Sequence, residues 1–152
     1  MTPLRVVLDT NAVLDWLLFR DKGFAPLAEA IAAGRLALLT SESCLEELRR
    51  VLRYPEFKLD EARQAALLAE VRARAEVLEV PEALPVEAGY VVPHCKDPDD
   101  QKFLAVAAHA GALLVTKDKV LLKLARKVAR AGRFAILRPD EVIRRHCTPP
   151  SQ

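Results

Sequence analysis

Four short stretches of the chain are apolar without interruption: VVL at residues 6–8, LALL at 36–39, LLV at 113–115 and AIL at 135–137. A strand with one wet face alternates apolar and polar residues. Unbroken runs of this length instead predict strands buried on both faces, as in a parallel sheet covered by helices. A weaker fifth candidate, VLEV, occupies 77–80. Helical patterns separate the runs. Residues 11–19 and 24–33 form a first pair that ends at Gly34. Residues 41–53 follow Thr40 or Ser41 as N-cap and stop at Tyr54-Pro55, and residues 60–75 begin at Asp60. Residues 99–110 end at Gly111, 118–130 end near Gly132, and 139–145 begin at Pro139. Alternating strand and helix with right-handed crossovers predicts a three-layer α/β/α fold around a central parallel sheet of about five strands.

The 152 residues suit a single domain over 1–147 with a frayed tail at 148–152, and an apolar fraction of 51% suffices for a core. No uncharged apolar run reaches the roughly 18 residues of a membrane span. The N-terminus, MTPLRVVLDTN, lacks a signal peptide's long apolar stretch and cleavage site, so a cytoplasmic protein is expected. Net charge is only +2, so any nucleic-acid-binding surface must be local. Cys44, Cys95 and Cys147 make an odd count without a CxxC, which argues against a disulfide framework and fits a reducing compartment. The dipeptides His94-Cys95 and His146-Cys147 contain zinc-type ligands. They lie far apart, however, and neighbouring side chains diverge in extended chain, so they read as ordinary residues, as does His109. No internal repeat is present. The irregular stretch 81–98 runs directly into an acidic cluster and reads as a loop bordering a site.

The acidic residues follow the strands. Asp9 ends the first; Glu46 and Glu47 lie in the opening turns of the helix after the second. Asp97, Asp99 and Asp100 open the helix before the fourth strand, which itself ends at Thr116-Lys117-Asp118. In a parallel α/β sheet these positions share the carboxyl edge, where ligands bind. Each acid also has an ordinary role available. Asp99, Asp100 or Asp118 can cap a helix, and Glu46 or Glu47 can pair with Arg49, Arg50 or Arg53. Convergence weakens that reading, because two carboxylates about 4 Å apart repel by about 4 kcal/mol at an effective dielectric near 20. Oxygen-only ligands select a hard cation, Mg²⁺ or Mn²⁺, one ion or two. Such ions polarise phosphodiesters and activate water.

The stretches DTN at 9–11, LEELRRVL around Glu47, DPDDQKFLAVAAHAG around Asp100 and LLVTKDK around Asp118 resemble the PIN-domain nucleases over residues 4–143. The nearest likeness is to the VapC-like group, the toxin components of toxin–antitoxin pairs. The resemblance implies an α/β/α fold, an Mg²⁺ or Mn²⁺ site and hydrolysis of RNA. It implies metal-ligand and catalytic roles for Asp9, Glu47, Asp100 and Asp118. Asn11 and Thr116 match polar positions that orient the site. Glu46 stands as understudy to Glu47, and Asp97 or Asp99 is available to a second ion through water. The resemblance also implies a small antitoxin partner and a homodimer, for which the apolar helices at 11–33 offer either an interface or core.

RNA needs positive charge near the acids. Arg49 and Arg50 flank Glu47, and Lys117, Lys119 and Lys123 follow the last strand of that edge, in a region that also holds Arg126, Lys127, Arg130 and Arg133. Stacking platforms are scarce: Trp16, Phe19, Phe24 and Tyr90 are available, the first three also suited to core or dimer face. Three rival functions are an aspartyl-phosphate phosphotransferase, a non-catalytic interaction module and a structure-specific DNA nuclease. The first wants a second aspartate where Asn11 stands, and the third wants an arch or clamp insertion that the sequence does not display.

Overall fold

The strands owe their unbroken apolar character to the two layers they separate. In the structure, a computed structural model describing residues 2–81 and 93–147, β1 (Leu4–Leu8) sends Val6 and Leu8 into one apolar layer and Val7 into the other. In β2 (Leu36–Ser41), Leu36 and Leu38 face the first layer and Leu39 the second. With β3 (Ala75–Leu78), β4 (Leu113–Val115) and β5 (Ala135–Leu137) they form a five-stranded sheet in the order β3-β2-β1-β4-β5, every pairing parallel. Val6 lies opposite Leu38 on one flank of β1, and Val7 opposite Leu114 on the other.

Helices α1 (Thr10–Leu17), α2 (Ala25–Ala32), α3 (Glu42–Leu52), α4 (Glu61–Arg74) and α8 (Pro139–Val142) pack their apolar residues into the first layer. On the opposite face, α5 (Pro98–Ala110), α6 (Lys119–Leu122) and α7 (Ala125–Ala131) bury Phe103, Leu104, Leu121 and Val128. Fully burying one such side chain stabilises the fold by about 1.5–3 kcal/mol. Trp16 and Phe24 are buried, so α1 and the turn before α2 spend these rings on the core.

The first helix ends at Leu17 rather than 19, and three further elements depart from the sequence expectation. β3 begins two residues earlier than 77, directly where α4 ends. As an edge strand it is half wet, with Val77 37% exposed, so its apolar signal is diluted. The helix expected over 118–130 is two helices, because the chain tightens between them, Leu124 donating to the Leu121 carbonyl at 3.0 Å. The last helix is four residues long and widens into a π turn over Ile143–Cys147. Most of the 81–98 stretch and the tail at 148–152 lie outside the described residues.

The strand order positions a crevice. Successive strands step from β1 to β2 to β3 on one side, while β4 sits on the other flank of β1. The connections at the carboxyl edge diverge where the order reverses, opening the crevice in which α/β sheets hold ligands. The residues that follow β1 and β4 there are Asp9 and Thr116.

Candidate active site

Asp9 stands at the end of β1 because it serves two structures at once. Its Oδ1 caps α1 by accepting the Ala12 N–H at 2.9 Å, and its Oδ2 accepts the Thr116 hydroxyl hydrogen. Thr116, fully buried, accepts the Asp118 amide at 2.9 Å in turn, and Asp118 Oδ1 caps α6 through Val120 N–H at 2.7 Å. The ordinary capping role and a site role therefore coexist, since each cap uses only Oδ1 and a carboxylate oxygen that accepts one hydrogen bond keeps a second lone pair. Burial raises the Asp9 carboxyl to about 6, with Asp118 and Asp15 adding to the rise and the Thr116 and Ala12 hydrogen bonds opposing it.

Glu47 projects inward from α3 and is 7% exposed. One oxygen accepts the Thr10 hydroxyl hydrogen; the other meets Lys102 Nζ at 3.1 Å and the Arg50 guanidinium at 3.8 Å. Glu46, next in the chain, is exposed and pairs with Arg49 at 3.5 Å instead.

Asp100 lies in the first turn of α5, and its Oδ2 is buried with no hydrogen-bond partner among the described residues. Burial pushes its carboxyl up to about 7, reinforced by Asp118, then Asp97, Asp9 and Glu47. The cap of α5 is Asp97, not Asp99 or Asp100: its Oδ1 accepts the Asp99 N–H at 2.9 Å. Pro98 makes this possible, since proline suits the first helical position and needs no N–H partner. Gln101 steadies the approach by bonding the Cys95 amide at 2.6 Å and the Pro93 carbonyl at 3.0 Å.

A cleft of about 330 Å³ gathers Asp9, Glu47, Asp97, Asp99, Asp100 and Asp118, with Asn11, Arg50, Tyr54 and Phe57 among its other walls. Asp99 is exposed and holds Arg50 at 3.6 Å. Of the expected RNA-binding residues, the cleft takes in Arg50 alone. Lys117 turns toward α1, its ammonium 3.0 Å from Asp15 and 3.7 Å from Asp21. Lys119 and Lys123 are exposed but outside the cleft walls, and Arg49 faces a neighbouring trough. Among the expected stacking residues, Phe19 is exposed at 57% and Tyr90 lies outside the described residues. Tyr54 and Phe57, unmarked in the sequence reading, stack at the cleft rim with ring centroids 6.4 Å apart.

Two residues that touch the acids were not singled out from sequence, Thr10 and Lys102. Thr10 sits inside the DTN stretch, where its hydroxyl was the available signal. Lys102 lies two residues beyond Asp100, about 200° round the helix, so a helical wheel separates them. The long Lys102 side chain nevertheless carries its ammonium to within 3.1 Å of Glu47.

The residues fit a hard divalent cation. The converging donors are carboxylate oxygens, and the orphaned, buried Oδ2 of Asp100 lacks the positive partner that such an oxygen requires. Among the described residues no three His, Cys, Asp or Glu side chains are drawn together as a formed metal site. Asp9 and Glu47 are instead held by the Thr116 and Thr10 hydroxyls. Cys44, Cys95 and Cys147 are buried free thiols.

A parallel α/β sheet with acids converging at its switch point defines a class of α/β folds with an acidic ligand-binding edge rather than one protein. Within that class this chain belongs to the PIN domain family, whose sequence profile matches residues 5–120. Its fold is also similar to VapBC2 from Rickettsia felis, solved bound to a DNA fragment from the pair's promoter, at a TM-score of 0.60 and 16% identity, covering 89% of this chain and 98% of that one. PAE2754 from Pyrobaculum aerophilum aligns at a TM-score of 0.53 and 22% identity, over 93% and 94% of the two chains. VapBC-1 from nontypeable Haemophilus influenzae aligns at 0.56 and 16% identity, over 90% and 98%. A comparison with curated proteins returned no match. Among the described residues no helix is long and apolar enough to cross a membrane.

Proposed function

We propose that this protein is a metal-dependent endoribonuclease, the toxin of a toxin–antitoxin pair, built as a single domain over residues 1–147. The observation that carries the reading is the buried, unpartnered Asp100 Oδ2 in a cleft whose other acids include Asp9, Glu47 and Asp118. An unpaired buried carboxylate oxygen is costly, and a cation-binding role gives that cost a purpose. Asp9, Asp100, Asp118 and Glu47 would hold Mg²⁺ or Mn²⁺, one ion or two, with Asp97 supporting a second. When bound, the metal supplies polarisation of the scissile phosphodiester and activation of water.

The chain's own residues do the rest. Thr116 fixes the Asp9 carboxylate and the Asp118 backbone together, so two acids from different strands keep one orientation. Thr10 does the same for Glu47. Asn11 stands in the cleft wall as a neutral amide able to bind a phosphate oxygen or a ribose hydroxyl. Arg50 supplies positive charge at the rim, and Arg49, Lys119 and Lys123 extend it outward. The solved relatives named VapBC support an antitoxin partner, and a homodimer is part of the proposal.

Cleavage of a labelled mixed-sequence single-stranded RNA tests this, run with Mn²⁺, Mg²⁺ or EDTA beside Asp100→Asn. Cutting that needs the metal and disappears in the variant is the expected result. If neither metal produces cutting and neither raises the melting temperature, the nuclease reading fails. A non-catalytic interaction module then describes the chain better.

A further inference from the structure

Two hollows meet at Glu47. One is the acidic cleft; the other is a trough of about 450 Å³ along α3, lined by Ser43, Glu46, Arg49, Arg50, Arg53 and Lys102 in addition to Glu47. Arg50 and Glu47 belong to both. In the trough four cationic side chains face two anionic ones, a surplus that suits a phosphate. Lys102 alone among these reaches in from α5. Its side chain is 22% exposed, and its ammonium sits 3.1 Å from the Glu47 carboxylate.

The acids are thus neutralised unequally. Glu47 has a hydroxyl, an ammonium and a guanidinium around it, whereas Asp100 Oδ2 has no partner among the described residues. A cation entering the cleft would find Asp100 waiting and Glu47 already taken. An ammonium and a divalent ion on one buried carboxylate repel strongly where water is scarce. Lysine can yield, because its charge is a compact group on a flexible stem. The direction left open to it is away from Glu47 within the trough that it already lines, where three arginines make that move unfavourable unless an anion is present.

The geometry points to Lys102 as a positioning residue that couples the two hollows. It neutralises Glu47 while the cleft lacks its cation. On cation binding it turns outward and takes a backbone phosphate of the RNA lying in the trough. The inference rests on the metal-nuclease reading and adds a reciprocal link, in which each ligand raises the affinity of the other.

Two measurements test it without relying on cleavage: Mn²⁺ titration calorimetry in the absence of RNA, and fluorescence polarisation of a labelled single-stranded RNA in EDTA or in Ca²⁺. Lys102→Met is expected to bind Mn²⁺ roughly three- to tenfold more tightly, since a competing charge is gone. It should also lose several-fold of the RNA affinity that Ca²⁺ confers on the wild type. Lys102→Arg keeps the charge and is expected to bind Mn²⁺ no more tightly than the wild type. Unchanged or weaker Mn²⁺ binding by Lys102→Met overturns the inference, as does tighter binding by Lys102→Arg. Tighter Mn²⁺ binding with unaltered RNA affinity in Ca²⁺ overturns the coupling. A wild type that binds no Mn²⁺ at all overturns the nuclease reading itself.

Discussion

Replacing Asp100 by asparagine is expected to flatten the pH dependence of stability in the metal-free protein. Burial and the neighbouring acids raise this carboxyl from its ordinary 3.8 to about 7 in the folded state. Between about pH 4 and 7 the folded protein therefore holds a proton that the unfolded chain has released. Stability contributed by the protonated group is present below the lower value and is lost as pH rises through the window. A shift of this size corresponds to roughly 4 kcal/mol for a sealed site. Asp100 is only half-buried, and solvent screening reduces the expected difference to about 1–2 kcal/mol. Urea unfolding in EDTA at pH 5 and pH 8 reads it out. The wild type should lose stability between the two, and Asp100→Asn should lose about 1–2 kcal/mol less. Comparing two pH values cancels any fixed cost of the new amide. Some slope remains in the variant, because Asp9, raised to about 6, titrates in the same direction. Saturating Mn²⁺ should stabilise the wild type at pH 8 and do much less for the variant. If the variant's stability falls as steeply as the wild type's, the Asp100 carboxylate does not carry the electrostatic cost assigned to it.

Three further outcomes rest on individual contacts. Thr116→Val removes the hydroxyl that joins Asp9 to the Asp118 amide and should cost about 1–3 kcal/mol in urea unfolding; a loss below a few tenths would mean the two acids are held by other contacts. Arg50→Gln should weaken single-stranded RNA binding and reduce the slope of log affinity against log salt by about 0.7, measured by polarisation in Ca²⁺; an unchanged slope would remove Arg50 from the phosphate path. Gly111→Ala forces a side chain into a backbone with φ of 63° at the end of α5. It should lower stability by about 1 kcal/mol in thermal unfolding, while Mn²⁺ affinity stays at the wild-type value.

The range of each interaction decides how much of this was legible. A strand buried on both faces must be apolar at every position, so the runs that became β1, β2, β4 and β5 announced themselves locally. The acids were legible for the same reason. The carboxyl ends of parallel strands share one edge of the sheet, and Asp9, Glu47, Asp100 and Asp118 each come after a strand or open a helix there. Capping was harder, since Asp97, Asp99 and Asp100 are three close candidates and only the placement of Pro98 in the first helical position selects Asp97.

The sequence by itself determined the layers, the parallel sheet and the acidic edge, because each strand and the acid beside it is marked by residues within a few positions of one another. Tertiary structure alone decided where the long side chains go. Lys102, two residues from Asp100, reaches Glu47 across 55 positions, whereas Lys117, beside Asp118, turns to Asp15 and Asp21. A flexible cation settles against whichever carboxylate the packing of distant elements brings within its reach, and no local pattern encodes that choice.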